Sequence, residues 1–214
     1  MEQPPKAPEG TAADLIRAGL HLFGQKGFAA TSTREIAASA GTNVASIAYH
    51  FGGKDGLRQA CGAEVVRQIG AVLGAIDAPA AKSADAAAAQ LELMLRTMVR
   101  FLVTPGDADS LIPFMLREVT EDGPILDAVY SAMFEPMHRR FCALWSAATG
   151  QEADSARTRL TVFSLIGQVL YFRIGRPIVS RRMNWSSPGR AEADEVAELL
   201  VANLRSILER ERLT

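Results

Sequence analysis

STREIAASAGTNVASIAYHF, residues 32–51, reads as two short helices on either side of a glycine. Ser32 and Glu35 make the Ser-x-x-Glu capping box, in which each side chain satisfies an orphan backbone N–H of the other residue. Ile36, Ala37 and Ala40 then fall on one face of the first helix. Gly41 ends it, because glycine enters the left-handed conformation past a helix end without steric cost. Asn43 is placed to cap a second helix over 44–50, and Ile47 gives that helix an inward anchor. Two short helices about a glycine turn make a helix-turn-helix, whose second helix is built to enter a DNA major groove. On this reading Thr42, Val44, Ala45 and Ser46 meet bases, with Asn43 beside them and Val44 and Ala45 suited to thymine methyls. Ser32, Thr33, Arg34, Tyr49, His50 and Lys54 meet phosphates.

Working outward, the spacing of Leu15, Ile16, Gly19, Leu22 and Phe23 predicts a first helix over 11–25, with Gly27 as its stop and Phe28 tucked into the core. Gly52-Gly53 breaks the chain after the recognition helix. A long fourth helix then runs from Lys54 through Leu57, Cys61, Val65, Ile69 and Leu73 to residue 76, and any tilt of it would move the reader. Residues 77–82 (DAPAAK) form a connector, and Ser83 caps a fifth helix that Thr104-Pro105-Gly106 stops. A sixth helix is expected over 110–121 and a seventh from Pro124 to Gly150. Pro136 should kink that seventh helix near Met133. An eighth over 155–175, a long basic loop (RPIVSRRMNWSSPGR) and a ninth over 191–210 complete the chain. No strand alternation or solenoid repeat occurs, so the expected fold is all-α: a three-helix head and a helical bundle, about nine helices in all.

The 214 residues allow one large or two small domains, and the net charge of −1 demands neither nucleic acid nor an acidic partner. Within 11–60, Arg17, Lys26, Arg34, Lys54 and Arg58 face only Asp14, Glu35 and Asp55, a mild local excess compatible with phosphate contact. Cys61 and Cys142 form neither a disulfide framework nor a zinc motif. No signal-peptide pattern opens the chain, and its most apolar windows are interrupted by charge, so a cytoplasmic location is expected. The expected divisions are a polar, proline-rich tail over 1–10, a DNA-binding head over 11–57, and an effector-binding and dimerisation part over 58–214. A Gly-rich phosphate loop, a nucleophile elbow and a zinc-type His/Glu cluster are all missing from the sequence, which argues against an enzyme; no cofactor is expected.

The run from Leu15 to Leu57 closely resembles the N-terminal domain of TetR-type transcriptional repressors. The resemblance rests on LIRAGLHLF followed by Gly27-Phe28, on TSTREIA, on the Ala40-Gly41 turn, and on YHF and KDGL. Thr42-Asn43 stands where most members have Val-Ser. The form AGTNVASIAYHFGGKDGL is similar to the CerR/CecR-type subgroup, and LREVTEDGPILDAV and SLIGQVLYFRIGRPIV resemble that subgroup's effector domain. The resemblance implies an effector pocket in the C-terminal part and a homodimer.

Met and aromatic side chains, which adapt to varied apolar ligands, are the pocket candidates. They are Met94, Met98, Phe101, Phe114, Tyr130, Phe134, Phe141, Tyr171 and Phe172. Arg117, Glu118, His138, Gln168 and Arg173 stand beside them as inward polar groups. Dimer formation has a physical basis, because a single head reads few base pairs and two must sit about 34–36 Å apart on one duplex face. The expected interface is Leu160, Phe163, Ile166, Gly167 and Leu170 on the eighth helix, with Val196, Leu199, Leu200, Leu204 and Ile207 on the ninth. The function expected is a ligand-released repressor that binds palindromic operator DNA as a dimer and leaves it when a small apolar or aromatic effector binds. Two rivals stand beside it, an activator and a redox sensor using Cys61 and Cys142.

Overall fold

A computed structural model describes residues 9–74, 81–106 and 108–212. The expected tail up to residue 8, the end of the fourth helix beyond residue 74 and the connector up to residue 80 lie outside the described residues. Those described are helical, with no strand among them. They fall into two compact units, Met1–Ala71 with Asp107–Phe134, and Val72–Gly106 with Glu135–Thr214.

The first unit contains α1 (Thr11–Lys26), α2 (Thr33–Ser39), α3 (Ala45–Phe51), α4 (Lys54–Gly74, of which the part to Ala71 belongs here), α6 (Ala108–Thr120) and α7 (Leu126–Val129). Leu15, Phe23, Ile36, Ile47, Leu57, Leu111 and Phe114 make its core. The unit extends past residue 57 because α6 packs along α1. Gly24 permits that approach, since a β-carbon there would stand 2.9 Å from the Phe114 amide nitrogen. Arg117 secures the contact by donating to the Gly24 and Gln25 carbonyls at 3.0 and 2.9 Å. These are end-of-helix acceptors that α1 itself leaves without an N–H.

The seventh helix is divided where the proline suggested. A π-helical turn, Tyr130–Phe134, separates α7 from α8 (Glu135–Thr149). Pro136 has no N–H to continue an α-helical ladder, and a wide turn ahead of it is one way a helix absorbs that loss.

The second unit is a bundle of α5 (Ala84–Val103), α8, α9 (Ala156–Ile174) and α11 (Arg190–Arg212) around Leu91, Met94, Met98, Phe141, Trp145, Val162, Val169 and Leu204. Ser83 and Ser155 cap α5 and α9 through the Ala86 and Thr158 N–H groups. Ion pairs fix α5 against α11 in antiparallel register: Arg212 to Asp85, Arg205 to Glu92, Arg96 to Glu198 and Arg100 to Asp194. Each contributes little alone, but the order of partners admits a single alignment. The expected loop over 176–190 is corrected. Residues Arg176–Met183 form α10, which carries Pro177 in its first turn and is capped by Asn184 in the left-handed conformation (φ 58°). It buries no side chain, so it has no apolar period by which a sequence could reveal it.

Candidate functional site

The head is built from local hydrogen bonds. Ser32 Oγ accepts from the Glu35 N–H at 3.2 Å, and Glu35 Oε2 accepts from the Ser32 N–H at 2.9 Å, which completes the capping box. Lys26 Nζ reaches Glu35 Oε1 at 2.7 Å and ties the end of α1 to the start of α2. Held mainly by Lys26 and then by the Ser32 N–H, the Glu35 carboxyl is lowered from 4.5 to about 2. Gly41 takes φ 65°, and the chain turns so that the Thr42 N–H donates to the Ala37 carbonyl at 2.9 Å. The α3 helix presses Ile47 into the core and leaves Val44, Ala45, Ala48, Tyr49 and His50 outward, with Tyr49 84% exposed.

Asn43 precedes the first residue of α3 by two, and its Oδ1 accepts from the Ser46 N–H at 3.0 Å and from the Ser46 hydroxyl at 3.2 Å. The Thr42 hydroxyl lies 2.9 Å from that of Ser46. Of the expected DNA contacts, Ser32, Arg34, Asn43, Val44, Ala45, Tyr49 and His50 are exposed, and Thr33, Thr42, Ser46 and Lys54 are half-buried. Phe28 corrects the expectation of a core residue. It is half-buried, and the Lys54 ammonium and the Arg58 guanidinium lie 4.3 and 4.5 Å from its ring centre. The quadrupole of the ring favours cations there, so Phe28 fixes the positive start of α4.

An apolar groove of about 900 Å³ lies in the same unit. One wall is the α4 face of Gly62, Ala63, Val66 and Gly70, and the other is Pro124, Ile125, Ala128, Val129 and Ala132. Gln59 and Arg67 are its polar edge. Arg67 donates from Nε and Nη2 to Glu64 at 2.7 and 2.6 Å, and this contact lowers the Glu64 carboxyl.

None of the fourteen expected pocket residues is among those lining this groove. In the first unit Phe114 is core, packed 6.4 Å from the ring of Phe23. Arg117 is engaged on α1, Glu118 accepts from Arg58 Nε at 2.7 Å, Tyr130 is exposed and Phe134 is half-buried. In the second unit Met94, Met98 and Phe141 are core, and Phe101, Phe172 and Arg173 are half-buried. His138 stacks on Phe163 with centroids 4.0 Å apart, Gln168 accepts from Asn203, and Tyr171 is exposed. Large apolar residues on amphipathic helices were used for packing, whereas the groove is floored by glycine and alanine, which carry no such signal.

On the candidate interface Leu160, Phe163, Gly167 and Leu199 are exposed, at 69% for Leu160 and 56% for Leu199. Ile166, Leu170 and Ile207 are half-buried. Val196, Leu200 and Leu204 need correction: they are buried inside their own bundle, because α11 packs fully along α5 and α8. Tyr171 and Ile174 add to the exposed apolar face of α9. Both thiols are buried, and desolvation raises the Cys61 and Cys142 pKa values. No single described helix is long and apolar enough to cross a membrane.

Comparison with known proteins joins these features. The pattern of the tetR family of bacterial regulatory proteins matches residues 15–61, and that of the C-terminal domain of the HTH-type transcriptional dual regulator CecR matches residues 87–210. Over 222 aligned residues the chain is 32% identical to the HTH-type transcriptional dual regulator CecR of Shigella flexneri, spanning 98% of this chain and 97% of that one. The crystal structure of AibR in complex with isovaleryl coenzyme A and operator DNA superposes with a TM-score of 0.68 at 20% identity, over 90% of this chain and 96% of that one. A TetR-like transcriptional regulator from Rhodococcus sp. RHA1 gives 0.69 at 19%, over 95% and 99%.

Proposed function

We propose, for a chain that belongs to the TetR family of bacterial regulatory proteins and carries the CecR-type C-terminal domain, that it is a dimeric repressor of cytoplasmic operator DNA released by a small apolar ligand. The outward face of α3, open at its N-terminal end and flanked by the cations at the start of α4, carries the reading. Such a helix end enters a major groove without collision, while Arg34, Tyr49, His50 and Lys54 supply donors to the phosphates on either side. Two heads are held at operator spacing by an isologous contact through Leu160, Phe163, Gly167 and Leu199, with Ile166, Leu170 and Ile207 at its margin.

The groove between α4 and residues 124–132 takes the effector. Its volume suits a drug-sized molecule, and its lining suits an apolar one. The related AibR is known in complex with isovaleryl coenzyme A, a ligand with a short branched acyl end. The Shigella flexneri relative is named a dual regulator, so activation at some operators is the second reading.

The test is selection of duplexes from a random-sequence library by the full-length protein, followed by binding at several salt concentrations. A selected palindrome bound with a steep salt slope is expected, and Tyr49→Ala should weaken operator and random DNA alike without altering the oligomeric state. Failure to enrich any duplex, or undiminished DNA affinity in Tyr49→Ala, would refute the reading.

A further inference from the structure

The side chains at the reading end of α3 are not equally available to a base. The Ser46 main-chain nitrogen is a donor, so the Asn43 atom facing it at 3.0 Å must be the carbonyl Oδ1. The Ser46 hydroxyl also donates to Oδ1, at 3.2 Å, which leaves the Thr42 hydroxyl, 2.9 Å away, to donate to Ser46 Oγ. Both hydroxyl protons are therefore used inside the turn. Asn43 retains its Nδ2 donors, but its acceptor is committed to capping α3. A bidentate amide contact with adenine needs that acceptor for the N6 amino group.

With Tyr49 and His50 assigned to phosphates, the rest of the outward face beyond Asn43 is Val44, Ala45 and Ala48. Ala48 lies three residues from Ala45 and four from Val44, so their methyl groups share one side of the helix start, beside the buried Ile47. They present no donor or acceptor. On the major-groove edges of the four base pairs the only apolar group is the 5-methyl of thymine.

We propose that Val44, Ala45 and Ala48 read thymine 5-methyl groups, so that the operator half-site is specified mainly by methyl contact rather than by hydrogen bonding from Thr42 or Ser46. This rests on the head being a DNA reader, as proposed above, and adds Ala48 to the residues expected at the bases.

The experiment starts from duplexes the protein selects from a random library. Thymines in the selected half-site are then replaced one at a time by deoxyuridine, which removes the methyl and leaves the hydrogen-bonding edge intact. Affinity is expected to fall about fourfold for each methyl that had been in contact. The Val44→Ala variant should lose affinity for the thymine duplex and lose less on a duplex whose contacted thymine is already uracil, since the two changes remove one contact. Selected half-sites without thymine at their core, uracil duplexes bound as tightly as thymine ones, or a Val44→Ala loss equal on all duplexes would each overturn the proposal. Selection of a palindrome with any of these results leaves the DNA-reading function standing and removes only the methyl reading; enrichment of no duplex refutes both.

Discussion

The Arg58–Glu118 pair is the most exacting energetic test of the first unit. Its atoms are 2.7 Å apart, and its side chains retain 11% and 3% of their exposure. Removing one member of a pair this deep leaves an uncompensated charge, which costs about 3–5 kcal/mol in a fully dry site. The two deletions should differ. Glu118→Gln leaves a guanidinium that still lies 4.5 Å from the Phe28 ring centre, which offsets about 1 kcal/mol, so a loss of about 2–4 kcal/mol is expected. Arg58→Met leaves a carboxylate whose Oε2 is already buried without a hydrogen bond among the described residues, and the full loss of about 3–5 kcal/mol is expected.

The double variant Arg58→Met with Glu118→Leu replaces both charges by apolar groups and should cost less than the two single changes added together. Urea unfolding at one fixed protein concentration reads all three, and a loss of about 3 kcal/mol moves the midpoint by about 1–2 M. Gly123→Ala probes the same pair from outside, because a β-carbon there would overlap Glu118 Oε2 and come within 2.9 Å of Arg58 Nη2. Single variants within about 0.5 kcal/mol of the parent, or a double variant equal to their sum, would show that the two groups are not energetically coupled.

Glu35 supplies a pH window. Its folded value, about 2, lies below its ordinary 4.5, so the stability it adds is complete above about pH 4.5 and is lost as the pH falls towards 2. Glu35→Gln keeps the cap but not the Lys26 ion pair, so its stability difference from the parent should shrink on acidification and in high salt; a constant difference from pH 6 to pH 2 would contradict the assignment. The two thiols, buried and with raised pKa values, should resist a thiol reagent in the native protein and react on unfolding; rapid native labelling of either would revive the redox reading. Leu160→Asp with Leu199→Asp, both at exposed positions, should give a folded monomer by sedimentation with helical content unchanged, and persistence of a dimer would move the interface elsewhere.

The head was legible because its determinants are local. A capping box, a glycine turn and an anchoring isoleucine each act within four residues, and the structure places Ser32, Glu35, Gly41 and Ile47 as their chemistry requires. The groove and the helix face available to a partner depend on which apolar residues the rest of the chain has already buried. Val196, Leu200 and Leu204 have the same spacing whether α11 meets a partner or its own α5, so periodicity cannot separate the two. Methionine and aromatic residues mislead about the groove for a related reason. A large side chain at an inward position fills space, and an opening remains where small ones stand, as at Gly62, Ala63, Gly70, Ala128 and Ala132. The hydroxyls of Thr42 and Ser46 are a subtler case, since only their mutual distance reveals that they are engaged with each other.

The proposed release of DNA follows from how tightly the two walls of the groove meet. A β-carbon on Gly62 would stand 2.8 Å from Ile125 Cδ1, so α4 and the turn carrying Ile125 are already in close contact along the groove. In the proposed mechanism, a ligand that wedges between Gly62 and Ile125 would displace one of these walls. The turn is constrained through the Gly123 N–H, which donates to the Glu118 carbonyl at 2.8 Å, and through Glu118 itself, bound to Arg58. Displacement of α4 acts on Arg58 and Lys54, the two cations arranged about Phe28 beside the recognition helix. Coupling of about 1–3 kcal/mol is usual between two such sites and weakens DNA binding by about 5- to 150-fold. In the proposed repressor, a ligand that disturbs the Arg58–Glu118 pair and the Phe28 contacts would release the operator without unfolding the head.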